Sequence, residues 1–184
     1  RYLEKKAKVP FTFLDVPYAD DVDSISYLAD QLRQLAKTLE ERTGRKFQEE
    51  QLKEILSTEN ETRAELMKFF DYQKTYYYPG ELISHLYMMM GMHLLIGTRE
   101  FLDLIRFMNE EIQKAPLFEG KRILWIHLMP FYQESLKKYF NSSKKYQIIA
   151  SDIILDFMEE LDAEHPFEAL ARKIIKNLYN RSYA

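Results

Sequence analysis

Arg122-Ile123-Leu124-Trp125-Ile126-His127-Leu128 and Tyr146-Gln147-Ile148-Ile149-Ala150-Ser151 are the two stretches on which the fold turns. The first is a run of β-formers without polar alternation, the pattern of a strand covered on both faces. Pro130 follows it, then a short helical stretch from Phe131 to Phe140, the turn Asn141-Ser142-Ser143 and the second β-rich run. Strand, helix and strand within about 30 residues predict a parallel βαβ unit with a right-handed crossover. Such units keep ligands at the carboxyl ends of their strands, which points to the stretch from His127 to Pro130 and to Ser151-Asp152 as a ligand-facing edge.

Upstream the period is helical. From Asp23 or Ser24, either able to cap a helix, apolar residues recur at Ile25, Leu28, Leu32, Leu35 and Leu39, and Gly44 supplies the stop. A second helix is expected from about Gln48 toward Lys74, with Leu52, Ile55, Leu56, Leu66, Met67 and Phe70 on its apolar side. Its polar middle, Ser57 to Arg63, reads as a solvated turn of a long helix. Alternatively Asn60 and Arg63, one turn apart, hold neighbouring elements together through hydrogen bonds. Tyr76-Tyr77-Tyr78 before Pro79-Gly80 reads as packing between core and solvent, with a recognition surface as the alternative.

Glu81 to Ile96 is apolar nearly all round, the mark of a helix central to its layer. Met88, Met89, Met90 and Met92 point in different directions on that helix, so they read as core filler rather than a metal or cofactor set. Gly97 ends it, Thr98 can cap the next helix, and Phe101, Leu102, Leu104, Ile105, Met108 and Ile112 give that helix a buried stripe before Pro116. Pro166 suits the first turn of a last helix running to about Tyr179, with His165 as its cap. Before all of these, residues 9–18 read as an extended, strand-like segment stopped by Asp15-Val16-Pro17-Tyr18. The fold class is therefore α/β and mostly helical. Residues 1–18 form an extended segment from a preceding α/β part, 19–116 a helical region, and 117–184 part of a parallel Rossmann-like or flavodoxin-like α/β domain.

The 184 residues are 46% hydrophobic, enough for a chain of this length to bury a core. Twenty-six basic residues against 29 acidic ones leave no electrostatic footprint for nucleic acid. The longest apolar stretch, Leu82 to Ile96, is interrupted by polar residues and falls short of the ~20 residues a bilayer requires, so no membrane partner is expected. No secretory signal pattern is visible at Arg1 to Lys8, which favours a cytoplasmic protein, and the opening without Met reads as a piece of a longer chain. With no cysteine, these residues alone make no disulfide, no thiol nucleophile and no thiolate-ligated cluster. The four histidines lack metal spacing: His85 and His93 lie two turns apart on one helix. No Gly-rich phosphate loop follows Leu128, and neither G-x-S-x-G nor H-E-x-x-H occurs.

Several of these segments, taken in order, resemble the 2-hydroxyacyl-CoA dehydratase family, which also includes benzoyl-CoA reductase subunits. They are Leu14-Asp15-Val16-Pro17-Tyr18, the helix end Leu39 to Lys46, the N-x-x-R of Asn60 and Arg63, Pro79-Gly80-Glu81-Leu82, Arg122-Ile123-Leu124-Trp125, and Pro166-Phe167-Glu168-Ala169-Leu170-Ala171-Arg172. The resemblance implies an enzyme of anaerobes in which two related subunits each hold a [4Fe-4S] cluster through cysteines. A separate ATP-dependent activator delivers one electron, and a ketyl radical formed from a 2-hydroxyacyl-CoA expels the hydroxyl as water. In the reductase branch the electrons enter an aromatic ring. The family's cluster cysteines flank the interval that this chain spans, so the cluster is expected in the full-length protein and none in this segment. No catalytic residue matches by motif. Tyr18, Asn60, Arg63, His127 and Asp152 are the expected substrate-binding residues. The alternative to an enzyme subunit is a non-catalytic binding module of a fused CoA-enzyme activase, meeting its partner through Tyr76 to Tyr78.

Overall fold

The computed structural model describes residues 6, 11–126, 134–154, 157 and 159–177. Six α-helices and two strands stand among them: α1 (Val22–Thr43), α2 (Glu49–Gln73), α3 (Leu82–Leu94), α4 (Arg99–Ile112), β1 (Lys121–Trp125), α5 (Glu134–Phe140), β2 (Tyr146–Ser151) and α6 (Pro166–Lys176). A 3₁₀ turn, Asp152–Ile154, follows β2 directly. The molecule is mostly helical with a small parallel sheet, as the sequence pattern predicts. It divides into two compact units, Arg1–Lys53 with Leu161–Ala184, and Glu54–Glu160.

In the first unit α1 packs on α6. Leu28 and Ala29 of α1 are buried against Phe167, Ala171 and Ile175 of α6, with Ile25 and Leu32 at the margin. That is the stripe read from 3-4 spacing, and each such buried side chain contributes about 1.5–3 kcal/mol. The cap of α1 is Asp21 rather than Asp23 or Ser24, its carboxylate accepting from the Ser24 amide at 2.8 Å. Gly44 ends the helix in the left-handed region at φ 68°, where a Cβ is costly. Pro166 opens α6, and His165 precedes it without a capping side-chain bond. The expected end of α6 near Tyr179 lies outside the described residues. Residues 11–20 carry no regular secondary structure, so no strand forms there. What fixes this segment is Gln31 of α1, whose amide accepts from the Asp15 N–H at 2.8 Å and donates to the Asp15 carbonyl at 2.9 Å.

Among its described residues the second unit has two apolar clusters. Leu66, Phe69 and Phe70 of α2 meet Met92 and Ile96, Phe101, Ile105 and Ile112 of α4, and Ile154. Leu82 and Ile148 gather Ile123, Trp125, Leu136 and Phe140 into the other. Thr98 caps α4 by accepting from the Phe101 amide. Helix α3 is not covered all round: Tyr87, Met90 and Leu94, spaced three and four apart, are exposed, while Met92 is buried and Met88 and Met89 pack on the core. Leu104, expected in the buried stripe of α4, is also exposed. The tyrosines pack internally. Tyr76 and Tyr78 lie against the main cluster, Tyr77 stacks on Phe118, and its hydroxyl donates to the Ser142 carbonyl at 2.8 Å.

β1 and β2 pair in parallel with α5 between them in sequence, which is the βαβ unit expected from the two opening stretches. The register runs Ile123 to Ile148, then Leu124 to Ala150 and Trp125 to Ser151, leaving Ile149 as a bulge. A one-residue shift changes the face that later side chains occupy. Ser151 therefore shares a face with Ile148, both buried, although an unbulged strand would set them on opposite sides. Arg122 and Gln147 occupy the other face. The expectation that β1 is covered on both faces fails at its end: Leu124 is 60% and Ile126 is 71% exposed.

Candidate functional site

The middle of α2 is buried, which overturns its reading as a solvated turn. Thr58, Glu59, Thr62 and Arg63 are each less than a tenth exposed. Two consecutive turns of one face cannot be desolvated with a cation unless the charge is paired. Glu59, one turn before Arg63, supplies the pair by accepting from Nη2. Arg63 Nη1 donates to the Glu159 carbonyl at 2.7 Å, and the guanidinium carbon stands 5.1 Å from the centre of the Phe157 ring. Arg63 thus joins α2 to the segment around residues 157–160, as the hydrogen-bonding alternative predicted.

Asn60 and Arg63 line a cleft of about 440 Å³ together with Ala64 and Met67 on α2 and Glu159-Glu160 opposite. At its rim Glu61 is paired with Arg106 of α4 at 2.9 Å. A guanidinium has five N–H donors in a fixed fork, so the two bonds to Glu59 and Glu159 leave donors over. With its charge offset by Glu59, Arg63 offers directional hydrogen bonds rather than a bare cation. The cleft can hold carbonyl or hydroxyl oxygens beside Ala64 and Met67.

A second location is the carboxyl end of the sheet. Asp152 stands there, exposed, as the first residue of the 3₁₀ turn. Trp125 and Ser151, side by side in the register, carry buried polar atoms, Nε1 and Oγ, without a hydrogen-bond partner among the described residues. His127 falls outside the described residues. Tyr18 belongs to the first unit and is largely exposed. Of the five expected residues, then, the structure brings Asn60 and Arg63 into one cleft and sets Asp152 at the strand end.

Sequence reasoning missed Glu59 and Glu159. Glu59 was within reach, because a glutamate four residues before an arginine on a helix is the favoured ion-pair order. Glu159 was not, since it contributes a backbone carbonyl, which any residue carries. Among the described residues no group of three His, Cys, Asp or Glu is arranged to hold a metal ion. Together with the absence of cysteine, this donor set does not fit an iron–sulfur cluster, which thiolates hold. No helix among the described residues is long and apolar enough to cross a membrane.

The chain is 24% identical over 187 aligned positions to the (R)-phenyllactyl-CoA dehydratase alpha subunit of Clostridium sporogenes, covering 89% of this chain and 45% of that protein. It therefore spans about half the length of the curated relative it matches. The family model for 2-hydroxyglutaryl-CoA dehydratase, D-component, matches residues 1–183. Nearly every residue lies within that match, including the paired strands and both walls of the Arg63 cleft, and the chain belongs to the 2-hydroxyglutaryl-CoA dehydratase D-component family.

Proposed function

We propose that this chain is part of a 2-hydroxyacyl-CoA dehydratase subunit, whose reaction is radical elimination of water from a 2-hydroxyacyl-CoA to give an enoyl-CoA. The one-electron chemistry, passing through a ketyl, would rest on a [4Fe-4S] cluster held by residues outside this chain. A homologous second subunit, an ATP-dependent activator and an anaerobic cytoplasm complete the reading. The observation that carries it is the family match across residues 1–183. The relative's description as an alpha subunit supports a partner subunit in the same way.

Within this reading the chain's own residues bind and orient. Arg63, held by Glu59, the Glu159 carbonyl and the Phe157 ring, lines the cleft and has N–H donors beyond those two hydrogen bonds. Asn60, one turn earlier, adds an amide that can donate and accept. Together they suit the oxygens of an acyl-CoA, with Met67 against its apolar part. Holding a reactant in one orientation is a large share of what a protein contributes when a cofactor supplies the electron.

The test uses the complete protein with its partner subunit and activator under anaerobic conditions, following enoyl-CoA formation from a panel of 2-hydroxyacyl-CoAs. Turnover on at least one member, with KM raised at least tenfold by Asn60→Ala and kcat less affected, is the expected result. Absence of turnover across the panel, in protein that carries its full iron content, overturns the assignment.

A further inference from the structure

The cations around the cleft of Asn60 and Arg63 already have their carboxylates. Arg63 is paired with Glu59 on its own helix, and Arg106 is paired at the rim with Glu61 at 2.9 Å. Neither guanidinium therefore brings a net positive charge to the cleft. The opposite wall adds Glu159 and Glu160, both exposed residues. Glu160 has no ion-pair partner among the described residues. Even with Glu159 left out of the sum, Glu160 makes the balance of the lining and its ion-pair partners negative.

Such a lining treats neutral and anionic oxygens differently. The amide of Asn60 and the spare N–H groups of Arg63 can bond a thioester carbonyl and a 2-hydroxyl, neither of which carries charge. What varies between 2-hydroxyacyl groups is the side chain beyond those oxygens. In 2-hydroxyglutaryl it ends in a second carboxylate, four bonds from the thioester carbon and so within about 5 Å of it. With the carbonyl at Asn60 and Arg63, that carboxylate stays inside the cleft. It finds no surplus cation there, and it meets the like charge of Glu160. A hydrocarbon side chain meets no such repulsion and can lie beside Ala64 and Met67.

We propose that the cleft selects 2-hydroxyacyl groups with an uncharged side chain and rejects dicarboxylic ones, and that Glu160 sets this discrimination. The proposal rests on the dehydratase reading and deepens it by naming the substrate class of the same cleft. Glu160 acts by its charge across the cleft, not on the reacting atoms. It stands on the wall that Arg63 reaches through the neighbouring Glu159 carbonyl, so the groups that accept neutral oxygens and the group that repels an anion face one another.

Equilibrium binding to the complete protein tests this without turnover. The probes are glutaryl-CoA and 4-carbamoylbutanoyl-CoA, the same thioester with its free carboxylate replaced by a carboxamide. They share one CoA, so its charges cancel in the ratio of their affinities, and neither has a 2-hydroxyl to lose. The carboxamide should bind at least tenfold more tightly. Glu160→Gln should narrow that ratio at least threefold, and Glu160→Lys should abolish or reverse it, with circular dichroism confirming that both variants fold. Equal affinity for the two probes, or a ratio that both substitutions leave unchanged, overturns the proposal while the acyl-CoA reading stands. Binding of neither probe, or binding of both that Asn60→Ala leaves unaltered, overturns the acyl-CoA reading of the cleft and the proposal with it.

Discussion

Arg63 and Glu59 form an ion pair one helical turn apart in the buried face of α2, with side chains 8% and 5% exposed. Neither charge can return to water without opening the helix from its neighbours. Removing one partner strands the other, at a cost of about 3–5 kcal/mol, while replacing both by apolar groups of similar volume is far milder. Glu59→Ala should therefore lower the stability of the protein by about that amount in urea titration. The double variant Glu59→Leu with Arg63→Met should recover most of the loss. A double variant no more stable than Glu59→Ala would mean that the Arg63 bond to the Glu159 carbonyl and its contact with Phe157, not the ion pair, hold this region together.

Gln147 is the polar pin of the sheet. Its Oε1 accepts from the Tyr78 amide at 2.8 Å, and its Nε2 donates to the carbonyls of Gln73 at 2.7 Å and Tyr76 at 2.9 Å. One buried side chain thereby satisfies the backbone where α2 ends and the tyrosine segment begins. Gln147→Leu leaves the Tyr78 amide without a partner, and a loss of about 2–3 kcal/mol is expected from chemical denaturation. Gln147→Glu keeps the acceptor and removes both donations once ionised. Its deficit should exceed that of Gln147→Leu at neutral pH and shrink as the solution is acidified. A deficit independent of pH would contradict the donor role.

Much of this arrangement was legible in the sequence because the signals were local. The 3-4 spacing of Ile25, Leu28 and Leu32 gave the face of α1, Thr98 and Gly44 marked helix ends, and two β-rich runs around a short helix predicted the parallel pair. The failures share a cause, which is that burial is decided by partners distant in sequence. Glu59, Thr62 and Arg63 look like a solvated turn until Phe157 and the Glu159 carbonyl are brought against them. Leu124 and the face of α3 bearing Tyr87, Met90 and Leu94 are apolar and yet exposed. Residue type alone does not report whether a partner is within the same chain. The bulge at Ile149 left no mark either, since Ile148-Ile149-Ala150 reads as an unbroken strand. Asn60 and Arg63 stand out by their one-turn spacing, whereas the side-by-side placement of Trp125 and Ser151 in the register depends on that bulge.

Gly91 of α3 faces the ring of Phe101. A Cβ built there would come within 2.6 Å and 2.8 Å of two ring atoms, closer than packed carbon atoms allow. Phe101 is itself buried in the main cluster and has little room to withdraw. Gly91→Ala should consequently destabilise the protein by about 1–3 kcal/mol, despite the better helix propensity of alanine. The discriminating measurement is a double-mutant cycle: in a Phe101→Leu background the same substitution should cost much less. Equal costs in both backgrounds would show that the ring is not what the glycine accommodates.

His85, on α3, is held neutral by its surroundings: burial pushes its pKa from about 6.5 down to about 4. The unfolded chain takes up a proton at this residue as the pH falls through 6.5, while the folded protein does not until the pH nears 4. Between those values the unfolded state binds more protons, so the stability contributed by neutral His85 is complete above pH 6.5 and drains away on acidification toward pH 4. A shift of this size corresponds to about 3 kcal/mol as an upper bound across the window. Replacing His85 by Leu removes the titration. The stability of the protein minus that of His85→Leu, from urea midpoints at several pH values, isolates the effect from titrating carboxylates common to both. The difference should fall steadily between pH 6.5 and pH 4 and level off at either side. A difference that stays flat through this window, or that rises on acidification, would mean that His85 is charged in the folded protein and paired with an acidic group.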